Sequence, residues 1–315
     1  MRSAMTVTVI GATRNARVAT RLTYASFRRH TPEPVRVLLA DNGSVDGTLE
    51  DLRRLDWVTV WSLDERKRLA EADVARVRRG IRRLAAGLDS LAEELPDRQR
   101  SLLERVRTEI DVRVPSDEEL CRHSTALDWL VTKVETPYFL LLDSDVEFLD
   151  TGWLTDLVDL AEREGLAAVG EYEPARFPVQ PRLATYLLLL RTDVFRSLRV
   201  PFRSVLRFGD PDEERRWHAR ELDPVLDPSA FDGYGSAAFY DTAAVLFERI
   251  QQRELPWRSF PREIADKFHH LGHMSWAADA GHEYVGVELL HEHVRAANEH
   301  ALHRLASCYG GGALG

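Results

Sequence analysis

Tyr138-Phe-Leu-Leu-Leu-Asp143-Ser-Asp145 is an unbroken apolar run that ends on two carboxylates. A run this short, bounded by polar residues, reads as a strand buried on both faces. The same pattern occurs twice earlier. Thr6–Ile10 is a β-branched run closed by Gly11, and Val35–Ala40 is an apolar run closed by Asp41. Between them, Arg17–Arg29 places Val18, Leu22 and Ala25 at helical spacing, and Pro32 and Pro34 stop the helix. Leu49–Leu55 reads as a short helix and Trp57–Trp61 as a third strand. Alternating strands and helices predict an α/β fold with a mostly parallel central sheet flanked by helices.

Asp64 to Ile110 departs from that rhythm. Leu84, Leu88, Leu91 and Leu95 recur at helical spacing, Pro96 breaks the run, and Leu102, Leu103 and Val106 resume it. This predicts a helical hairpin inserted at about residues 64–115, a solvated decoration or a dimer contact in preference to an acceptor-side lid. Beyond it, Glu118–Val134 reads as a helix, Leu166–Gly170 and Thr185–Leu190 as strands, and Asp241–Arg253 as a helix. The predicted organisation is one catalytic-type domain over residues 1–280, then a C-terminal helix and tail over 281–315.

Composition narrows the chemistry. The chain has 315 residues, 44% of them hydrophobic, and a formal net charge of −9. That surface does not suit a nucleic-acid partner, which needs a basic face to replace counterions. Cys121 and Cys308 are the two cysteines and form no CxxC, which excludes a zinc ribbon or a thioredoxin-like motif. No stretch approaches the length of a membrane span, and a cytoplasmic location is expected.

In an open parallel sheet, ligands bind beyond the carboxyl ends of the strands. Asp143 and Asp145 stand there at i and i+2. In extended chain both would point to one side, where they could share a hard divalent cation with phosphate oxygens. Asp41, in Asp41-Asn-Gly-Ser-Val-Asp-Gly-Thr48, stands at a second strand end on the same edge. Its carboxylate could accept from a base N–H or a ribose hydroxyl, or could simply close an Asx turn before a helix cap.

Gly11-Ala-Thr13-Arg-Asn15 after strand one, the Asp41 loop, Asp143-Ser-Asp145 and Gly152-Trp153 together resemble glycosyltransferase family 2, across roughly residues 5–280. The resemblance implies a GT-A fold and an inverting transfer of sugar from a nucleoside-diphosphate donor, with uracil as the base by family frequency and Mn²⁺ or Mg²⁺ as the metal. It implies that Thr13 and Asn15 line the nucleotide pocket, Asp41 reads the base, Asp143 lies near the ribose and Asp145 holds the metal. Asp241, in Phe239-Tyr-Asp241, matches the segment carrying the catalytic base, with Asp232 as rival and helix capping as the ordinary role. In His269-His270-Leu-Gly-His273, His270 best fits the position that completes metal or diphosphate binding. His282, His291, His293, His300 and His303 read as mostly solvated. The acceptor is expected to be a soluble sugar or small-molecule scaffold. Asp143-Ser-Asp145 also resembles a haloacid-dehalogenase-like phosphohydrolase, for which Lys267 is the one downstream lysine. A catalytically silent binding or scaffold relative is the third possibility.

Overall fold

The computed structural model describes residues 7–92, 115–218, 233–272 and 287–309. Its strands are β1 (Val7–Thr13), β2 (Arg36–Asp41), β3 (Val58–Trp61), β4 (Tyr138–Leu142), β5 (Val146–Phe148), β6 (Ala168–Glu173), β7 (Arg182–Arg191), β8 (Val205–Phe208), β9 (Ala237–Tyr240), β10 (Trp257–Arg258) and β11 (Phe268–His270). Seven of them form the central sheet in the order β10-β6-β7-β4-β1-β2-β3. β4 lies at its centre, parallel to β1; β1 is parallel to β2 in turn, and β2 to β3. The expected α/β architecture with a mostly parallel sheet is therefore present. The antiparallel member is β7, which runs against both β4 and β6.

The helices are α1 (Arg17–His30), α2 (Thr48–Arg53), α3 (Leu63–Ala92), α4 (Asp117–Cys121), α5 (His123–Val131), α6 (Trp153–Glu164), α7 (Thr192–Leu198), α8 (Pro211–His218), α9 (Ala244–Gln252), α10 (Arg262–Ala265) and α11 (Val287–Cys308). Two apolar layers sandwich the sheet. On one face Tyr24, Phe27, Trp153 and Leu157 meet Val9, Leu140 and Leu189. On the other, Leu127, Leu130, Phe195 and Phe247 meet Ile10, Leu141 and Leu188. Alternate residues of each strand serve opposite layers, which is why these strands read as continuous apolar runs. α11 packs on α1 through Ala297, Ala301 and Leu305 against Ala19 and Leu22.

Three local expectations are corrected. The helix predicted over Glu118–Val134 is two helices, because Arg122 between them is extended, with φ −64° and ψ 132°. The helix predicted from Asp241 starts at Ala244, after Ala243 takes a left-handed φ of 67°. The chain also turns at Ser144 and Asp145 rather than continuing extended after β4. The first arm of the predicted hairpin is α3, whose turns beyond Leu69 are largely exposed as far as Gly80. The second arm lies outside the described residues. No helix among the described residues is long and apolar enough to cross a membrane.

Candidate active site

The carboxyl ends of β1, β2 and β4 share one edge of the sheet. Thr13 is in register with Asp41, and Ile10 with Leu141, so Gly11 lies beside Leu142. The approach there is too close for a side chain: a Cβ on Gly11 would fall 2.3 Å from the Leu142 carbonyl oxygen. Glycine at this point lets β1 and β4 run side by side to the edge and deliver Asp143 beyond it. Asp41 and Asp143 extend strands that flank β1, two inter-strand spacings or about 10 Å apart.

Asp41 is 1% exposed. Its Oδ2 accepts the backbone N–H groups of Gly43 and Ser44, both at 3.0 Å, so the Asx turn is real. Its Oδ1 is buried and has no hydrogen-bond partner among the described residues. An acceptor left so costs about 1–3 kcal/mol, which a ligand N–H or hydroxyl would relieve.

The loops after β1 and β2 are laced together. Asn15 takes a left-handed φ of 47°, its Oδ1 accepts Val45 N–H at 2.8 Å, and its own N–H donates to Ser44 Oγ at 3.0 Å. Asn42 N–H donates to the Thr13 carbonyl, and the Thr13 hydroxyl meets that of Thr20 at 3.2 Å. Thr13 and Asn15 thus shape the rim. Beneath it lies Arg66 of α3, 1% exposed. Its Nη2 donates to Asn42 Oδ1 and to the Asp41 carbonyl, and its Nη1 to the Leu120 carbonyl at 3.0 Å. No pattern in the sequence marks Arg66, because its partners are distant along the chain.

The turn at Ser144–Asp145 places the second carboxylate against a different element. β5 pairs with β11, with His270 opposite Val146, and Leu271 N–H donates to the Asp145 carbonyl at 2.8 Å. This brings His270 Nε2 to 3.4 Å from Asp145 Oδ1. The His270 ring lies flat on Tyr186, centroids 4.0 Å apart, and the Tyr186 hydroxyl donates to Glu171. Burial works against the imidazolium, but the Asp145, Asp143 and Glu171 carboxylates outweigh it and raise His270 above its ordinary value. From the other side, His123 at the start of α5 sets Nε2 3.5 Å from Asp143 Oδ1. Asp143 keeps 28% of its side-chain surface. Desolvation nonetheless raises its carboxyl above the usual range despite His123.

Asp241 does not cap α9. Its Oδ1 accepts Thr242 N–H at 2.7 Å and the Ser204 hydroxyl at 3.4 Å, while its Oδ2 is paired with Arg182 Nη1. Arg182, at the start of β7, also pairs with Glu173. Burial opposes its charge, and the Asp241 and Glu173 carboxylates more than offset that. The charge of the Asp143 carboxylate adds a smaller favourable contribution to the Arg182 guanidinium. Asp232, His273 and His282 lie outside the described residues. Two histidines read as solvated lie at the surface and also make contacts: His293 Nε2 is 2.8 Å from the Leu271 carbonyl, and His300 Nε2 is 3.2 Å from Glu147. Sequence inspection also passes over Arg182 and His123, since neither belongs to a local motif.

No protein-family model and no curated protein matches this sequence. Among solved structures, the chain is similar to the mannosyltransferase PcManGT from Pyrobaculum calidifontis in complex with GDP-Man and Mn²⁺, at 12% identity and a TM-score of 0.42, covering 98% of this chain and 77% of that one. It is similar to S. aureus TarS 1-349 in complex with UDP-GlcNAc at 10% identity and a TM-score of 0.38, covering 96% and 73%. Mouse xyloside xylosyltransferase 1 matches at 10% identity and a TM-score of 0.38, covering 81% and 84%. Likeness this distant carries no functional argument, so the reading of function rests on the site itself.

Proposed function

We propose that the protein is a GT-A type glycosyltransferase that moves a sugar from a nucleoside-diphosphate donor, with inversion, to an acceptor hydroxyl. Asp41 carries the reading. A buried carboxylate with one oxygen fixed in a turn and the other lacking a donor suits the N–H of a nucleobase. It lies about two strand spacings from an acidic pair, the separation a nucleotide spans between base and phosphates.

The residues at the second strand end fit a hard divalent cation. Asp145 and His270 offer a carboxylate oxygen and an imidazole nitrogen. Asp143 adds a carboxylate whose charged form is penalised by desolvation and would be favoured by a cation. Mn²⁺ or Mg²⁺ held by Asp145 and His270 would supply positive charge where the leaving diphosphate develops its negative charge. Asp143 lies toward the ribose, and Thr13 and Asn15 border the nucleotide. By the family resemblance, uracil is the proposed base. Asp241 accepts the acceptor's proton, oriented by Thr242 N–H, Ser204 and Arg182. The proposed acceptor is a soluble sugar or small molecule.

The phosphohydrolase reading is weaker here because Lys267 Nζ is committed to Asp156 at 2.6 Å, on α6. To test the base assignment, turnover and nucleotide affinity are measured for Asp241→Asn. Affinity should stay within a few-fold of wild type, while turnover falls roughly 10²–10⁴-fold. Undiminished turnover would remove Asp241 from the reaction.

A further inference from the structure

Behind the β5–β11 pair, on residues the proposed transfer does not use, a second set of ligating side chains converges. Glu147 of β5 is in register with His269 of β11, and His300 reaches them from α11. One ligand atom from each lies within 4.8 Å of the others. Glu147 is 1% exposed. Its two oxygens divide their work: Oε1 takes Arg304 Nε at 2.5 Å and the Tyr309 hydroxyl at 3.4 Å, while Oε2 faces His300 Nε2 at 3.2 Å. The His269 and His300 rings meet nearly at right angles, centroids 5.6 Å apart.

We propose that Glu147, His269 and His300 bind a zinc ion that clips α11 to the β5–β11 pair. Two imidazole nitrogens and one carboxylate oxygen form a set that suits Zn²⁺ better than Mg²⁺ or Ca²⁺, which take oxygen. Ligand atoms of a tetrahedral zinc site lie about 3.3 Å apart, given bonds near 2.0–2.1 Å. The two histidines lie at the surface, so rotation of their side chains closes the remaining gap. A metal-bound carboxylate is ordinarily hydrogen-bonded on its other oxygen, and Arg304 and Tyr309 provide that outer support. The clip joins a helix remote in sequence to β11, which carries His270, and to β5, which follows Asp145. It does not depend on the donor-site reading.

The test is calorimetric titration of ZnCl₂ into the EDTA-stripped, dialysed full-length protein, with thermal melts alongside. Wild type should bind one zinc equivalent through this set and melt at a higher temperature when zinc is present. His269→Ala and His300→Ala should each lose that binding step, and the melting temperature of each variant should be the same with zinc as in EDTA. Asp145→Ala should keep the binding step and the zinc-dependent shift, which separates this site from the donor edge. Absence of a one-equivalent step in wild type would overturn the proposal. So would a step that survives both histidine variants, or one lost in Asp145→Ala alone.

Discussion

Arg66 shows how much of the site rests on contacts between residues distant in sequence. A buried guanidinium needs acceptors, and here Nη1 is met by the Leu120 carbonyl and Nη2 by Asn42 Oδ1 and the Asp41 carbonyl. Replacing it with alanine leaves those acceptors buried without a donor and opens a cavity. Arg66→Ala should lose roughly 3 kcal/mol of stability in denaturant titration. Arg66→Lys should keep most of the stability and bind nucleotide more weakly, because one ammonium cannot hold three acceptors in a fixed fan. Equal nucleotide affinity in wild type and Arg66→Lys would mean that the loop holds Asp41 unaided. Asp41, Asp143 and Asp145 were legible in the sequence because each follows an apolar run, and strand ends mark ligand edges in this kind of sheet. Arg66, Arg182 and His123 were not, because their significance lies wholly in what folding brings to them.

Among elements, the close seam between β1 and β4 sets where the acidic pair stands. Gly11→Ala drives a methyl into the Leu142 carbonyl and must push the strands apart. A stability loss of about 1–3 kcal/mol is expected in denaturant titration, together with weaker nucleotide binding. An unchanged variant would show that the seam yields freely. α1 and α2 are joined at the rim by Asp51, which holds Arg17 Nε at 2.6 Å and Arg54 Nη1 at 3.1 Å. The hydrogen bond from Arg17 foremost, with the charges of Arg17, Arg21 and Arg54, holds its carboxyl below the usual range despite partial desolvation. A carboxylate depressed in the native state adds stability that is full above its unfolded value and is lost as pH falls through the native one. The melting temperature of wild type should therefore fall more steeply below about pH 4 than that of Asp51→Asn, which starts lower at neutral pH. Parallel acid limbs would remove the pair as a stabilising contact. Element types were readable from apolar runs and helical spacing. Their ends were less so: nothing in Cys121-Arg-His123 announces a break, and Asp241 resembles a helix cap until Ala243 is seen to turn the chain first.

For the whole molecule, the alternation of strands and helices predicted a parallel sheet but could not place β7, whose apolar run looks the same in either direction. Its antiparallel course matters, since it sets Arg182 beside Asp241 and Tyr186 beneath His270. Likewise, the two neighbouring histidines are sent to separate clusters only when β11 pairs with β5. His270 then faces Asp145 and His269 faces Glu147. The measurement that tests the donor site most directly is a thermal-shift series with UDP, GDP and dTDP, each with and without Mn²⁺, on wild type and Asp145→Ala. A ligand that binds the native state raises the melting temperature in proportion to its affinity and concentration. One nucleotide should raise it in wild type only when Mn²⁺ is present, and Asp145→Ala should abolish that rise. No shift with any nucleotide, or an equal shift in Asp145→Ala, would contradict a metal-assisted nucleotide site at this edge.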